Sequence, residues 1–232
     1  MCIRDSYASA FKAAQSSGGP RSEECMVAIV DYGAGNLTSV RLAFEKIGVR
    51  AAITSVPGEI IAADRVVFPG VGSAGAAMQR LEQLRLSEAL RDVVRKGTPF
   101  LGICLGAQII LDHSEEDGGI KCLGLIPGRV RLLRPADRTV KIPHMGWNSV
   151  VLSRRHPVFE GLKEGSEFYF VHSYYTVPLS QDIFLGETEY GGTKFVSAMG
   201  LANLVATQFH PERSGRLGLQ LLENFSRWDG RC

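Results

Sequence analysis

The chain has 232 residues, 45% hydrophobic and 22% charged, which is enough apolar content for one sizeable core and favours one large domain over two. Its 26 basic and 24 acidic residues leave a formal net charge of +2, so nothing points to a nucleic-acid or membrane surface, and no apolar run approaches the length of a bilayer span. The five cysteines, at 2, 25, 104, 122 and 232, are odd in number and widely spaced without C-x-x-C, which argues against a disulfide framework or zinc site and fits a reducing cytoplasm.

Residues 1–24 are rich in Ser, Ala and Gly and lack the apolar core of a signal peptide. Residues 1–25 are therefore expected to be a disordered or non-native leader, with a single domain over 26–232 starting at Met26. Met26 to Val30 is a short β-branched apolar run, read as a buried strand, and Asp31-Tyr-Gly-Ala-Gly-Asn36 is a turn. Leu37 to Ile47 carries apolar residues at helical spacing and stops at Gly48. Strands follow at Arg50 to Thr54 and Asp64 to Phe68, the second breaking at Pro69-Gly70-Val71-Gly72. Helices over Ala74 to Leu81 and Leu86 to Lys96 precede another apolar run, Pro99 to Cys104. This alternation predicts an α/β fold in three layers, a parallel sheet with helices on both faces.

After Leu123 the strand-like runs become short and turn-punctuated: Arg129 to Leu133, Trp147 to Leu152, Phe168 to Val171, Phe184 to Glu187, Phe195 to Met199 and Leu204 to Phe209. They predict an antiparallel extension, making the sheet mixed but mostly parallel. Leu217 to Trp228 is a closing amphipathic helix.

Two stretches carry chemistry. Gly102-Ile103-Cys104-Leu105-Gly106 joins a strand to a helix-like run and has the pattern of a nucleophile elbow with cysteine at its apex. The apex of such a turn occupies a sparsely allowed conformation, and side chains two residues away would collide, so glycine at 102 and 106 has a steric reason. At the start of a helix Cys104 faces unpaired N–H groups that favour an anion, and the Leu105 N–H points where an oxyanion would form. Gln208-Phe209-His210-Pro211-Glu212 is the second stretch. Pro211 disfavours helix at His210, so an extended run is expected, with His210 and Glu212 on one face. A carboxylate there would fix the imidazole tautomer and stabilise its protonated form.

Pro69-Gly-Val-Gly72, Gly102 to Gln108 and His210-Pro-Glu212 together resemble the class I glutamine amidotransferases. Asp31 to Val40, Pro143-His-Met-Gly-Trp-Asn148, Phe168 to Tyr175 and Gln208 to Ser214 resemble one member, which serves histidine biosynthesis. The resemblance spans Met26 to Trp228; Ala107 departs from the methionine expected there, a small change beside the site. It implies a flavodoxin-like three-layer fold and a glutaminase without cofactor or metal. By that resemblance Cys104 is the nucleophile, His210 the base and acid, and Glu212 its orienting partner. Leu105 and the Gly70-Val71 peptide form the oxyanion hole. Gly72, Gln108 and His172-Ser173-Tyr174 bind the amino-acid end of glutamine. The expected partner is a separate cyclase subunit, a (β/α)8 barrel, in a heterodimer.

Other readings stand beside this one. A glutaminase of pyridoxal phosphate or anthranilate synthesis, or a non-catalytic binding subunit, would share much of the pattern. Gly33-Ala-Gly35 suggests a dinucleotide loop but lacks the third glycine, and Gly70-Val-Gly72 lacks the Lys-Ser/Thr of a P-loop. His144 and His172 have no further metal ligands at usable spacing, and His113 and His156 are expected to face solvent. Trp147, Tyr169, Tyr174 and Tyr175 read as core, or, if exposed, as a partner surface.

Overall fold

The computed structural model describes residues 26–231; the expected leader over residues 1–25 lies outside them, as do Cys2, Cys25 and Cys232. The first half alternates β1 (Val27–Val30), α1 (Leu37–Lys46), β2 (Ala51–Thr54), α2 (Pro57–Ala62), β3 (Arg65–Gly70), α3 (Ala74–Gln83), α4 (Leu86–Arg95), β4 (Phe100–Cys104) and α5 (Leu105–Ile109). The second half contributes β5 (His113–Ser114), β6 (Ile120–Lys121), β7 (Gly128–Leu132), β8 (His144–Leu152), β9 (Ser166–His172), β10 (Tyr174–Pro178), β11 (Phe184–Tyr190), β12 (Thr193–Leu201) and β13 (Leu204–Thr207). Helix α6 (Gly215–Arg227) closes the chain.

One path of strands runs β2-β1-β3-β4-β13-β12-β10-β7-β5-β6, and β11 continues from β12 to β8 and β9. The first five strands of that path are mutually parallel, and the join from β13 to β12 begins the antiparallel part. Successive residues of the buried strands point to opposite faces. Ala28, Val66, Phe68 and Phe100 pack with residues of α2 to α5 in one core, while Val27, Ile29, Val67 and Leu101 pack with α1 and α6 in the other. Strands buried on both faces read as continuous apolar runs, which is why the pattern predicted three layers. The α6 end is tied back by Arg65, whose guanidinium donates to the carbonyls of Phe225 and Trp228 at 3.1 and 2.8 Å.

The parallel half matches the expected order, with shifts at the ends. Strand β3 runs to Gly70, two residues past the expected break, because Pro69 and Gly70 still pair in register with Ile103 and Cys104. Helix α2 was not expected; Pro57 at its start supplies the signal, since proline suits a first turn. Residues 166–178 form two strands, hinged at Ser173.

His113 is exposed as expected, but His156 is not. It is 6% exposed, edge-on to Trp228 with centroids 5.0 Å apart, and its Nδ1 accepts from the Val158 N–H at 3.2 Å. Burial, with Arg154 nearby, pulls its pKa from 6.5 down to about 4. Its folded pKa lies below the unfolded one, so only the unfolded chain takes the proton between these values. Stability is therefore full above pH 6.5 and is lost as pH falls toward 4. His156→Asn retains an acceptor without the titration. Its melting temperature should fall about 2–8 °C less than that of the parent between pH 7 and pH 5, for a contribution of roughly 1–2 kcal/mol. Thermal melts at both pH values check this; identical falls would remove His156 from the account.

Candidate active site

The site lies beyond the carboxyl ends of three adjacent parallel strands, where α/β sheets present their ligand crevices. Register aligns Gly70 of β3 with Cys104 of β4, and Thr207 of β13 with Ile103. Cys104 has φ 55° and ψ −109°, a conformation that a non-glycine residue adopts only under constraint. The constraint is the approach of α5 to β3. A Cβ on Gly106 would lie 1.9 Å from the Phe68 carbonyl oxygen, and one on Gly102 would lie 3.2 Å from the Gly106 oxygen. Leu105 opens α5, so its N–H is among those with no intrahelical acceptor. Around the sulfur, the Cys104 thiol faces the Val171 carbonyl, and Gln208 Nε2 donates toward Sγ, both at 3.8 Å.

His210 is extended (φ −101°, ψ 96°), but Pro211–Arg213 is a turn of 3₁₀ helix, so the expected extended run does not continue. The turn itself swings Glu212 back, and His210 Nδ1 donates to Glu212 Oε1 at 2.8 Å. Both side chains are buried, 1% and 0% exposed. The backbone is pinned: His210 N–H donates to the Tyr169 carbonyl at 2.9 Å, and Ser214 Oγ donates to the His210 carbonyl at 2.6 Å. Burial lowers the His210 pKa, yet the Cys104 charge, the contact with its sulfur and the Glu212 hydrogen bond outweigh it and push the value up to about 10. A second donor reaches Glu212 Oε1: Asn36 Nδ2, at 2.5 Å.

Val71, Gly72, Cys104, Leu105, Gln108, His172, Ser173 and Tyr174 line one cleft of about 310 Å³, with Glu116, Pro143 and Val171 completing its wall. Gly70 lies beneath the rim; a Cβ there would meet the Tyr32 hydroxyl at 2.2 Å. His210 and Glu212 stand behind Cys104 and are not part of the lining. A larger groove of about 420 Å³ along α6, lined by residues such as Arg216, Glu223 and Arg227, contains no nucleophile.

The far wall is held by a directional chain of hydrogen bonds. The Tyr174 carbonyl can only accept, so His172 Nδ1 carries the hydrogen, at 2.8 Å. His172 Nε2 then accepts from His144 Nδ1 at 3.0 Å, and His144 Nε2 accepts from Asn148 Nδ2 at 3.2 Å. Burial keeps both rings neutral, pulling His172 to about 3 and His144 to about 4. Gln108 Nε2 shares the Tyr174 carbonyl at 2.8 Å and reaches Gln208 Oε1 at 3.1 Å. Sequence spacing gave no sign that His144 and His172 touch. The register that places them opposite each other on β8 and β9 is a tertiary fact. No group of three metal-ligating side chains occurs among the described residues. Asn36 and the Gln208 side chain also belong to the site, reaching Glu212 and Cys104, and no spacing rule in their motifs points to these contacts. Trp147 is 55% exposed, edge-on to Tyr169, whose ring the Arg213 guanidinium covers at 4.3 Å.

Residues 28–227 match the family described as glutamine amidotransferase class-I. The chain is 48% identical over 206 residues to the imidazole glycerol phosphate synthase subunit HisH of Nitrosococcus oceani, covering 88% of this chain and 98% of that one. It is 47% identical over 200 residues to the protein of the same name from Methanocaldococcus jannaschii, covering 86% and 98%. Among solved structures, PurLQS from Thermotoga maritima superposes with a TM-score of 0.67 at 15% identity, covering 87% and 97%, a likeness of fold alone.

The two elbow glycines differ in what surrounds them, so their alanine variants should differ. Gly106→Ala drives a methyl into fixed backbone and should cost about 3 kcal/mol or more, whereas Gly102→Ala meets contacts that a few tenths of an ångström relieve and should cost about 1 kcal/mol. Urea melts of the two variants check the order; equal losses would mean that the approach of α5 to β3 is not the constraint.

Proposed function

The chain belongs to the class-I glutamine amidotransferases and, among them, to the HisH subunits of imidazole glycerol phosphate synthase, and we propose from that premise how its residues make ammonia. It hydrolyses glutamine to glutamate and ammonia and passes the ammonia to a cyclase subunit. The partner makes imidazole glycerol phosphate and aminoimidazole carboxamide ribotide in histidine biosynthesis. The observation that carries the reading is the strained Cys104 at the floor of the cleft, with the buried His210–Glu212 pair behind it.

Cys104 Sγ attacks the side-chain amide carbon of glutamine. The C–N bond breaks, the proton held by His210 leaves with the nitrogen as ammonia, and a glutamyl thioester remains. His210 then takes a proton from water, whose oxygen attacks the thioester, and Cys104 is released with glutamate. The change of role has a physical cause. The charge of Cys104 is a principal influence raising the His210 pKa, and burial opposes it. Forming the thioester removes that charge and so weakens the hold on the proton, which lets the imidazole act as a base. Glu212 keeps the Nδ1 hydrogen in place throughout.

The N–H of Leu105 is one oxyanion donor and the Gly70-Val71 peptide supplies the other. Gly72, at φ 102°, gives the loop its freedom. Gly72, Gln108, His172, Ser173 and Tyr174 hold the amino-acid end of glutamine. Met145 and Trp147, 62% and 55% exposed on β8, support a docking face for the partner beside the cleft. No helix of the described residues is long and apolar enough to cross a membrane, and cytoplasmic action is part of the reading.

Cys104→Ala in the complex should abolish activity with glutamine and leave cyclase turnover with added ammonium salt intact, because the nucleophile is needed only to make ammonia. Product formation from the two nitrogen sources decides it, and activity on glutamine would end the mechanism. The chain alone should hydrolyse glutamine at least about two orders of magnitude more slowly than the complex with the cyclase ligand bound, the cost of one oxyanion donor turned away. Steady-state glutamate release tests this, and equal rates would mean that the hole is already formed in the free chain.

A further inference from the structure

The Asp31–Asn36 turn has no part in the mechanism so far, yet it touches the site on two sides. Asn36 Nδ2 lies 2.5 Å from Glu212 Oε1, bridging 176 positions of sequence. The same oxygen accepts from His210 Nδ1, while Glu212 Oε2 is buried with no hydrogen-bond partner. Both bonds that hold this carboxylate therefore fall on one oxygen. Rotation about χ3 of glutamate is soft, so a single bond to a mobile imidazole would leave the carboxylate plane unfixed. On its other side the turn meets the oxyanion loop: a Cβ on Gly35 would lie 3.3 Å from Val71 Cγ2.

We infer that Asn36 is a positioning residue for glutamine hydrolysis, its carboxamide fixing the Glu212 carboxylate so that Oε1 faces His210. The inference rests on the glutaminase reading. The residue type fits two requirements at once. Asn36 sits at φ 71°, ψ 4°, a left-handed conformation that asparagine, aspartate and glycine tolerate better than other residues. The hydrogen bond needs a donor, which asparagine has and ionised aspartate lacks. Glycine at 36 thus keeps the backbone and removes the bond, and aspartate keeps the shape and turns donor into acceptor.

The test compares glutamate release by the complex with the cyclase subunit for the parent, Asn36→Gly and Asn36→Asp, with thermal melts as a check on folding. Asn36→Gly should lower kcat roughly 10–100-fold, the range for a hydrogen bond to a charged group, with KM within about twofold. Asn36→Asp should be at least as slow at pH 8, where two carboxylates face each other. It should regain activity relative to the parent as pH falls to 6, since a proton shared between them restores a donor. Two variants that keep the parent kcat would overturn the inference. So would an Asn36→Asp enzyme that is slow with an unchanged pH profile, the mark of a purely structural role. If the parent complex released no glutamate, the glutaminase reading would fall and the inference with it.

Discussion

The packing of α5 against β3 sets the rest of the site. Because Gly106 lies against the Phe68 carbonyl, the chain has to reverse sharply between β4 and α5, and Cys104 has to take a positive φ to do so. That strain, of the order of 1–3 kcal/mol, is held by the burial of β4 on both faces. From this turn follow the projection of the sulfur into the cleft, the free N–H at Leu105 and the distance to Gly70 on the neighbouring strand. The second element of the site, His210, is brought to the same edge by β13, which pairs with β4. Topology and local strain are thus two separate conditions, and each is useless without the other.

The electrostatics of the site depend on exclusion of water. His210 and Glu212 are shut away behind Cys104, where a charge is costly unless matched. The imidazole is consequently governed by its neighbours more than by solvent: burial pulls its pKa down, while the Cys104 sulfur and the Glu212 carboxylate push it up. The three other buried histidines, at 144, 156 and 172, have no such neighbour and stay neutral. Identical side chains at similar burial are shifted in opposite directions because one of them has a sulfur and a carboxylate beside it.

Features set by local rules were legible in the sequence. The parallel strands showed as continuous apolar runs, and Gly-x-Cys-x-Gly and His-Pro-Glu carried steric and conformational meaning within a few residues. Helix α2 is not legible, because six residues are too few to display a helical period. The surroundings of His156 depend on Trp228, which arrives from the far end of the chain. The Asn36–Glu212 and His144–His172 contacts likewise join elements that are remote in sequence, and no periodicity announces them. The 3₁₀ turn after His210 shows a right neighbourhood reached by a different backbone path, since proline permits both an extended entry and a turn.

The chain of bonds from Asn148 to the Tyr174 carbonyl has a polarity. Its last member has no hydrogen to give, so the sequence of donors cannot be reversed by rotating amides or exchanging tautomers. Nor can a proton be handed along it, because it begins at a carboxamide N–H that releases no proton near neutral pH and ends at a peptide carbonyl that keeps none. The wall of the cleft is therefore an insulator: it fixes geometry while conducting no charge.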